Sequence, residues 1–480
     1  MTFDEFEEWF RARYHRTSSA LTSTAFIFSD LAGLMFAFGW GFFTVNLYDL
    51  SIINFKSFVT YWSYLPVFIL IYQIMNLYPG LSLAPSEEFR RFTVGSFMAY
   101  GGIILSRYIE DRDWDAISAA FMVSAFFSPL ILLTMRSAVF RLLHKSRIWG
   151  VPAVIYGSGS TGRMLIDRLL VSVRTGYKPA LILDDEPGGL DTYRGIPIFH
   201  DTMLGPEIAR RFHIKMAIVA MPKLEPLELK KLLNDSVSAF RYNVLIPDFF
   251  HSTNIWMAVR DFDGILGFVT SHKLKMFWNL GIKRFLDITV VLTGGIILSP
   301  MLLCIALLVK LSSPGPVLYG HKRLGLNGRP FTAYKFRSMV KDSTERLEKL
   351  LASDAGAREE WEANRKLRND PRITKIGRFL RRGSFDEFPQ FINILKGEMS
   401  LVGPRPIVQD EVKKYGEEFR RIFSVKPGLT GLWQVSGRSD TDYLERVSYD
   451  TYYLQSWSVW LDLWIVYRTI GTIIKGKGAY

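Results

Sequence analysis

Four long apolar runs occupy most of the first third of the chain and predict helices that cross a membrane. They cover Leu21–Leu47, Phe58–Leu77, Phe92–Leu105 and Ala116–Met135. Most of them approach or exceed the roughly 20 residues that an α-helix needs to span the hydrocarbon core. A buried helix of a soluble protein is the alternative for any single run, but four in succession favour a transmembrane domain over residues 21–147.

The distribution of Lys and Arg orients these helices. Basic residues precede the first run, separate the second from the third and follow the fourth, whereas the other two connections are poorer in them. Because cytoplasmic loops are enriched in Lys and Arg, both ends of the bundle are expected in the cytoplasm. The amphipathic segment 1–20 carries acids and no cleavage site, so it is predicted to be a retained interfacial helix.

Between residues 148 and 250 the pattern changes to short apolar strands that alternate with amphipathic helices. The predicted strands are Ala153–Tyr156, Leu181–Asp184, Met216–Ala220 and Asn243–Ile246, and the predicted helices are Thr161–Val173, Glu207–Phe212 and Pro226–Ser236. This alternation is typical of a doubly wound α/β domain with a parallel sheet.

A glycine-rich turn over residues 157–162 follows the first of these strands. With Asp184 and Asp185 at the end of the next strand, it matches a fingerprint for the pyrophosphate and ribose of a dinucleotide. Gly157, Gly159 and Gly162 are therefore candidate nucleotide-binding positions. A Rossmann-like scaffold whose turn only needs glycines is the alternative, because about half of a dinucleotide fold is present.

A linker over 251–282 leads to the last domain, 283–480, which opens on an apolar run at 285–311. Basic residues flank this run on both sides, so both of its ends are expected in the cytoplasm. Ser299 and Pro300 lie mid-run, where a proline removes a helical hydrogen bond and favours a bend. These features predict a re-entrant helix. A straight fifth crossing is the alternative, and it would separate the downstream residues from cytosolic nucleotides.

Two adjacent acids, Asp386 and Glu387, precede an apolar-periodic helix in the last domain. Pro389 is best tolerated in a first helical turn, so the helix is expected to begin near the acids. Ser384 or Asp386 could simply cap that helix. A carboxylate kept ionised by helix N–H groups, with a second carboxylate beside it for Mg²⁺, also suits attack on phosphorus.

Basic and turn-forming residues of the same domain form a candidate substrate-binding set. Arg405 lies between two prolines that stiffen the backbone, which suits bidentate capture of a phosphate. The run 426–431 predicts a turn that closes over a ligand. An ordinary tight turn there, and a solvated basic face on the arginine-rich helix, are the alternatives. The set comprises Lys335, Arg337, Asp370, Arg372, Arg378, Arg381, Arg382, Arg405, Lys426, Gly428, Thr430 and Arg438.

Composition narrows the class of ligand. The 480 residues are 49% hydrophobic and carry a formal net charge of +13, which suits nucleic acid, anionic lipid or a phosphorylated substrate. The clustering of apolar residues favours the last two, so no nucleic-acid partner is expected. The single cysteine, Cys304, excludes an intrachain disulfide and a cysteine-based metal site.

From Lys283 to Tyr480 the chain resembles the polyprenyl-phosphate hexose-1-phosphate transferases, also called monotopic phosphoglycosyl transferases. The resemblance rests on Ser299-Pro300, the Lys-Phe-Arg-Ser-Met run at 335–339, Asp370-Pro371-Arg372, the Asp386-Glu387 dyad, and the runs at 401–406 and 426–434. The upstream crossings and the α/β domain resemble those of the large members of this family. The implied fold is a transmembrane helical bundle, a Rossmann-like cytosolic domain and a monotopic catalytic domain with a re-entrant helix.

The resemblance implies a covalent two-step reaction on the cytoplasmic face of a bacterial inner membrane. Asp386 would attack the β-phosphate of a UDP-sugar and release UMP, and undecaprenyl phosphate would then accept the sugar phosphate. Glu387 would assist deprotonation or, with Asp386, hold Mg²⁺. Whole-chain similarity favours galactose over glucose, in the synthesis of O-antigen or another surface polysaccharide. The expected partners are the UDP-sugar, undecaprenyl phosphate, membrane lipid and a second copy in a homodimer.

Two other classes of protein remain compatible with parts of the sequence. A non-enzymatic membrane protein could sense a dinucleotide through the 157–162 turn, in which case the downstream acids and arginines would be dispensable. A sugar-lipid flippase would need ionisable residues inside several crossings, and Asp30 is the one clear case in the sequence.

Overall fold

The computed structural model describes residues 3–14, 17, 19–47, 59–81, 83–112, 114–146, 148–186, 188, 190–246, 257–262, 265–270, 273–340, 342–354, 356, 358–359, 367, 370–436 and 443–475. The chain divides into two compact units, Met1–Thr253 and Asn254–Tyr480.

Helices form the first part of the unit 1–253, and each predicted apolar run corresponds to one. After the N-terminal helix Phe3–Tyr14 come Ser19–Asn46, a 3₁₀ turn Tyr61–Tyr64 that leads into Leu65–Ile74, Pro85–Asp111 and Ala116–Lys145. Judged by length and composition, three segments of the described chain could cross a membrane, and they are Phe3–Asn46, Ala116–Lys145 and Phe277–Ser312.

A buried ionic cluster joins the helices of this bundle. Arg136 donates to Asp30 at 2.5 Å and to Glu88 at 3.1 Å, and the hydroxyl of Tyr78 donates to Asp30 at 2.7 Å. Arg174, which follows the first helix of the α/β domain, donates to the second oxygen of Glu88 at 2.8 Å. Asp30 is therefore a structural partner of a buried arginine, and its charge is compensated inside the bundle.

A six-stranded sheet forms the core of the α/β domain. Its strands are β1 (Val151–Tyr156), β2 (Tyr177–Leu183), β3 (Thr192–Tyr193), β4 (Ile196–Phe199), β5 (Met216–Val219) and β6 (Tyr242–Leu245). Their order in the sheet is β3-β4-β2-β1-β5-β6. Strands β4, β2, β1, β5 and β6 are parallel, and β3 is antiparallel to β4. The four predicted strands and three predicted helices are confirmed, whereas the short β3 and β4 were not predicted. The helices of this domain are Ser160–Val171, Gly205–Arg211 and Pro226–Asp235.

The N-terminal helix packs on this α/β domain, so its predicted position at a membrane interface is wrong. Its apolar face, which includes Phe6 and Phe10, shares a core with Phe212. Arg211 donates to Glu7 at 2.6 Å on the same side. The amphipathic pattern was identified correctly, but an apolar helical face can be buried by protein as well as by lipid.

The unit 254–480 is built around the long apolar helix Phe277–Ser312. The predicted linker contains a strand pair, β7 (Met257–Phe262) with β8 (Ile265–Thr270). Beyond the helix lie the hairpin β9 (Leu318–Leu324) and β10 (Pro330–Phe336), and the parallel pair β11 (Ser400–Val402) and β12 (Gly428–Thr430). The remaining helices are Ser343–Ser353, Lys375–Arg382, Phe391–Lys396, Val412–Tyr415, Glu418–Ile422, Leu432–Ser436, Tyr443–Ser456 and Val459–Lys475.

The long apolar helix runs without a break through Ser299 and Pro300. Both of its halves pack on the same polar domain. Val291 in the first half shares a core with Ile394, and Val309 in the second half shares a core with Phe336. The re-entrant course of this helix stays a prediction at this point.

Asp450 in this unit is buried, and replacing it tests a pH-dependent contribution to stability. Burial raises its pKa to about 8, against a hydrogen bond from Tyr415 and the charge of Arg446, which lower it. Between the unfolded pKa of about 3.9 and this value, the folded chain binds a proton that the unfolded chain has lost. The free energy of unfolding should therefore fall as pH rises. Asp450→Asn should flatten the dependence of thermal unfolding in detergent between about pH 5 and about pH 8. An unchanged slope would contradict this assignment.

Candidate active site

The dyad lies in a 3₁₀ turn, Phe385–Gln390, that leads into the helix Phe391–Lys396. Asp386 is buried and Glu387 is half-buried. The chain enters the turn through Ser384 in a left-handed conformation (φ 54°), and the Ser384 side chain makes no capping hydrogen bond. The predicted start of the helix near the acids is confirmed, and Ser384 is not its side-chain cap.

Lys335 on β10 connects the hairpin to the dyad. Its ammonium donates to Glu387 Oε1 at 2.5 Å. In the antiparallel hairpin Lys335 is opposite Tyr319. Ala333 and Phe331, which lie on the same face as Lys335, are opposite His321 and Arg323. One face of the hairpin therefore presents three basic side chains on the side of the dyad.

The two acids experience different electrostatic environments. Burial raises the pKa of Asp386; Lys335 and Arg381 act against this, and the charge of Glu387 adds to it. Burial also acts to raise the pKa of Glu387, but Lys335, Arg405 and Arg323 lower it below the ordinary value. The sequence argument that helix N–H groups would hold Asp386 ionised missed the larger influence of burial. Unequal environments of this kind allow neighbouring carboxylates to take different roles.

Backbone pairing on both sides fixes the loop that carries Arg405. The amide of Gly428 donates to the carbonyl of Pro404 at 2.8 Å, and the amide of Leu324 donates to the carbonyl of Ile407 at 2.8 Å. A Cβ atom at Gly428 would lie 2.1 Å from the amide nitrogen of Gly403, so this close approach requires glycine. The loop therefore holds Arg405 beside the β9 strand and near Glu387.

Gly428 and Thr430 lie in a strand that supports the site, and the predicted closure of this turn over a ligand stays a prediction. They form β12, which pairs with β11, and the hydroxyl of Thr430 is 2.7 Å from that of Thr469. Downstream, the centroid of the Trp433 ring lies 5.8 Å from the guanidinium of Arg405 and 4.7 Å from that of Arg446. The turn thus positions an aromatic support for Arg405.

Three members of the predicted substrate set hold the fold. Arg337 donates to the carbonyls of Ser313 at 2.6 Å and Val309 at 3.2 Å, at the end of the long apolar helix. Arg372 donates to both oxygens of Asp370, at 2.8 and 2.6 Å, and both side chains are buried. These contacts within the protein give Arg337, Asp370 and Arg372 a structural role, and their predicted role in substrate binding stays a prediction.

The remaining members of the set divide by position. Arg381 is near the dyad and donates to Ser338 at 3.0 Å, whereas Arg378 and Arg382 are exposed. Lys426 lies by Gly397, where a Cβ atom would be 3.5 Å from its ammonium. Gly397 follows the helix Phe391–Lys396 at the end opposite to the dyad. By helical rise, Gly397 is about 20 Å from Asp386. Arg438 lies outside the described residues.

The glycine turn of the α/β domain has a structural explanation. Gly157 has a φ of +103°, and a Cβ atom at Gly162 would lie 2.0 Å from the carbonyl oxygen of Gly157, whereas Gly159 has open space. The amide and hydroxyl of Ser158 both donate to Asp184, at 2.6 and 2.7 Å. Asp184, the predicted ribose acid, thus already binds the turn. Asp185 accepts two hydrogen bonds from Thr202.

The dyad has the donor chemistry for a magnesium ion, which prefers carboxylate and phosphate oxygens. Asp386 and Glu387 supply carboxylates on one turn. Across the described residues, no group of three or more His, Cys, Asp or Glu side chains could hold a metal. A cation here would complete its coordination with water and substrate phosphate oxygens, as Mg²⁺ commonly does.

Known proteins decide the family. Residues 278–476 match the bacterial sugar transferase family, and residues 73–238 match a CoA-binding domain. The undecaprenyl-phosphate galactose phosphotransferase of Salmonella typhimurium is 36% identical over 367 residues, 74% of each chain. The chain belongs to the bacterial sugar transferases.

Two other relatives cover a similar share of the chain. The UDP-galactose-lipid carrier transferase of Erwinia amylovora is 32% identical over 407 residues, 82% of each chain. The UDP-glucose:undecaprenyl-phosphate glucose-1-phosphate transferase of Escherichia coli is 34% identical over 340 residues, 68% of each chain. The predicted membership of the polyprenyl-phosphate hexose-1-phosphate transferase family is therefore confirmed. The chain is an enzyme, and the non-enzymatic alternative is wrong.

Sequence reasoning missed three residues of the candidate site. His321 and Arg323 were read only as flanks of an apolar run, and Glu411 was not considered. The guanidinium of Arg323 lies 3.3 Å from Nδ1 of His321 and 3.7 Å from a carboxylate oxygen of Glu411. Burial and the charge of Arg405 lower the pKa of Arg323. Alternation along a strand, with the hairpin 318–336 recognised, would have placed His321 and Arg323 on one face with Lys335.

Two arginine variants should distinguish a residue that stabilises the fold from a residue that acts in transfer. Arg372→Ala leaves the buried carboxylate of Asp370 without its partner and should destabilise the protein by about 3–5 kcal/mol. Arg405→Ala should cost no more than about 1 kcal/mol, since this half-buried side chain mainly loses its contact with Trp433. It should nevertheless lower transferase activity roughly 10²-fold or more. Thermal unfolding and turnover, measured in parallel, check both. Equal stability losses in the two variants would refute the distinction.

Proposed function

We propose that this enzyme transfers a hexose-1-phosphate, with galactose favoured, from a UDP-sugar to undecaprenyl phosphate and releases UMP. The reaction would be the first membrane step in the synthesis of O-antigen or another surface polysaccharide. One observation carries the proposal: the buried carboxylate of Asp386, near Lys335 and Arg381, lies beside Glu387. The cations Lys335, Arg405 and Arg323 surround Glu387. The names of the Salmonella typhimurium and Erwinia amylovora relatives support galactose.

The reaction balances in two displacements at one phosphorus. In the first, a carboxylate oxygen of Asp386 bonds to the β-phosphorus of the UDP-sugar. The bond from that phosphorus to the bridging oxygen breaks, and the oxygen leaves with UMP. In the second, a phosphate oxygen of undecaprenyl phosphate bonds to the same phosphorus, and Asp386 leaves as a carboxylate. The product is undecaprenyl diphosphate hexose. Neither step needs an oxidant or a reductant.

The basic side chains explain how the carboxylate of Asp386 could approach the diphosphate of a UDP-sugar. Two anions repel each other, and preorganised cations in a partly dry site reduce this cost in the transition state. Arg405 and Arg323 would contact the diphosphate, and Lys335 donates to Glu387 at 2.5 Å. Bound Mg²⁺, held by Asp386 and Glu387, would supply further neutralisation of phosphate charge.

The long apolar helix supports an active site at the cytoplasmic surface of a bacterial inner membrane. A straight crossing would place the two ends of this helix on opposite sides of a hydrocarbon core about 30 Å thick. Val291 and Val309, however, pack against residues of one polar domain. A re-entrant course of the helix makes this domain monotopic. The four helices upstream would cross the membrane, with both ends in the cytoplasm.

Glucose is the second candidate sugar, because a UDP-glucose enzyme is among the relatives. UMP release from purified protein, undecaprenyl phosphate and a panel of UDP-sugars distinguishes the two. The homodimer implied by the resemblance stays a prediction, and light scattering of the protein in detergent or nanodiscs tests it.

Asp386→Asn should abolish turnover while leaving the fold intact. An amide keeps the size of the side chain but cannot attack phosphorus, so the rate should fall roughly 10³-fold or more. Wild type incubated with UDP-sugar and Mg²⁺, without lipid, should release UMP and gain the mass of one hexose phosphate. The variant should gain none. A variant that retains more than about a tenth of the wild-type rate would falsify the nucleophilic role of Asp386.

Cysteine labelling tests the topology. The exposed Cys304 is first replaced by Ser, and single cysteines are then introduced at the exposed positions Lys322 and Arg112. An impermeant thiol reagent added to spheroplasts should label Arg112→Cys, between the third and fourth predicted crossings. It should not label Lys322→Cys until the membrane is opened. Labelling of Lys322→Cys in intact spheroplasts would indicate a straight crossing.

A further inference from the structure

An apolar groove of about 450 Å³ lies along the long apolar helix, beside the segment that carries the dyad. This volume falls within the roughly 300–1,000 Å³ of ligand pockets. The helix contributes Val291, Gly295 and Ile296 to one wall, and the dyad segment contributes Phe388 and Ile392 to the other. The groove therefore has a defined shape as well as an apolar surface.

One end of the groove lies beside the 3₁₀ turn that carries the dyad. Phe388 and Pro389, which line it, directly follow Asp386 and Glu387 in the same 3₁₀ turn. Phe336 and its cross-strand partner Leu318 line it from the face of the hairpin opposite to Lys335. A molecule in the groove with a phosphate at this end would present that phosphate to the dyad.

The lining suits a hydrocarbon and not a nucleotide or a sugar. Ser299 is the one polar side chain in it, and its hydroxyl already donates to the carbonyl of Ile296 at 2.8 Å. Ile296 is 72% exposed and Ile392 is 40% exposed, so apolar surface stays uncovered on both walls. Polar ligand groups placed here would lose hydrogen bonds to water without replacement.

We propose that this groove binds the first isoprene units of the polyprenyl phosphate acceptor. The chain would leave along the long apolar helix toward the lipid, with its phosphate at Asp386. The inference rests on the proposed function and adds a location for the acceptor. It also separates the two substrates: the cations Arg405 and Arg323 take the nucleotide diphosphate, and the groove takes the lipid.

Two adjacent glycines allow a matched test. A Cβ atom at Gly295 or at Gly294 would meet nothing within 4 Å, but only Gly295 lines the groove. Gly295→Leu should fill the groove, and Gly294→Leu is the control for a leucine at the same depth of the helix. Each variant is assayed for UMP release and hexose-phosphate adduct without lipid, and then for transfer to undecaprenyl phosphate over a range of concentrations.

Gly295→Leu should form the adduct as wild type does, but its KM for undecaprenyl phosphate should rise at least tenfold. Gly294→Leu should remain within about twofold of wild type in both assays. Ile392→Asn provides a second variant, because its partly exposed side chain tolerates a polar replacement, with exposed Ile470→Asn as its control. It should likewise raise the KM without loss of adduct.

The outcomes separate this inference from the proposed function. A wild type that forms neither UMP nor adduct contradicts the proposed function. Normal adduct formation with a wild-type KM for lipid in both Gly295→Leu and Ile392→Asn overturns the groove as the acceptor site. Equal effects of Gly294→Leu and Gly295→Leu, or loss of the adduct in both groove variants, also overturn it, because the groove would then serve general packing.

Discussion

Lys283, near the start of the long apolar helix, is buried and donates to Asp462 at 2.7 Å and to the carbonyl of Val402 at 2.9 Å. Val402 ends β11, the strand that leads into the loop of Arg405. Separating a buried ion pair costs several kcal/mol, so this contact fixes the polar domain on its apolar helix. Arg337 makes the equivalent attachment at the far end of the helix. The positions of Arg405 and of the strand that carries Lys335 follow from these two attachments.

The dyad depends on this frame for its chemistry. Lys335 donates to Glu387 at 2.5 Å. Burial raises the pKa of Asp386, and the charge of Lys335 acts against this rise. A nucleophile must be desolvated enough to react and still ionised. Burial and a fixed cation act in opposite directions on the pKa of Asp386, and burial is the larger influence. Glu387 is held more firmly by cations, and this suits a residue that orients and binds rather than attacks.

The sequence predicted the order of domains, the parallel sheet and the dyad, because apolar periodicity and helix-start chemistry are local. It could not separate arginines that hold the fold from arginines that face the site. Arg372 and Arg405 each lie in a short motif with proline, yet Arg372 is bound by Asp370 two residues away and Arg405 is free to face Glu387. The N-terminal helix failed for a related reason: amphipathicity reveals an apolar face but not its partner.

The pairing of charged groups also favours the dyad over the glycine turn as the anion site of the proposed reaction. In the unit 1–253, Arg136 is bound by Asp30 and Glu88, and Asp184 already accepts the donors of the glycine turn through Ser158. A phosphate at that turn would have to displace a buried carboxylate. In the unit 254–480, Arg405 lies on the ring of Trp433, where a phosphate oxygen can reach its donors without displacing a carboxylate. In the proposed reaction, an anion would therefore bind at the dyad at a lower cost than at the glycine turn.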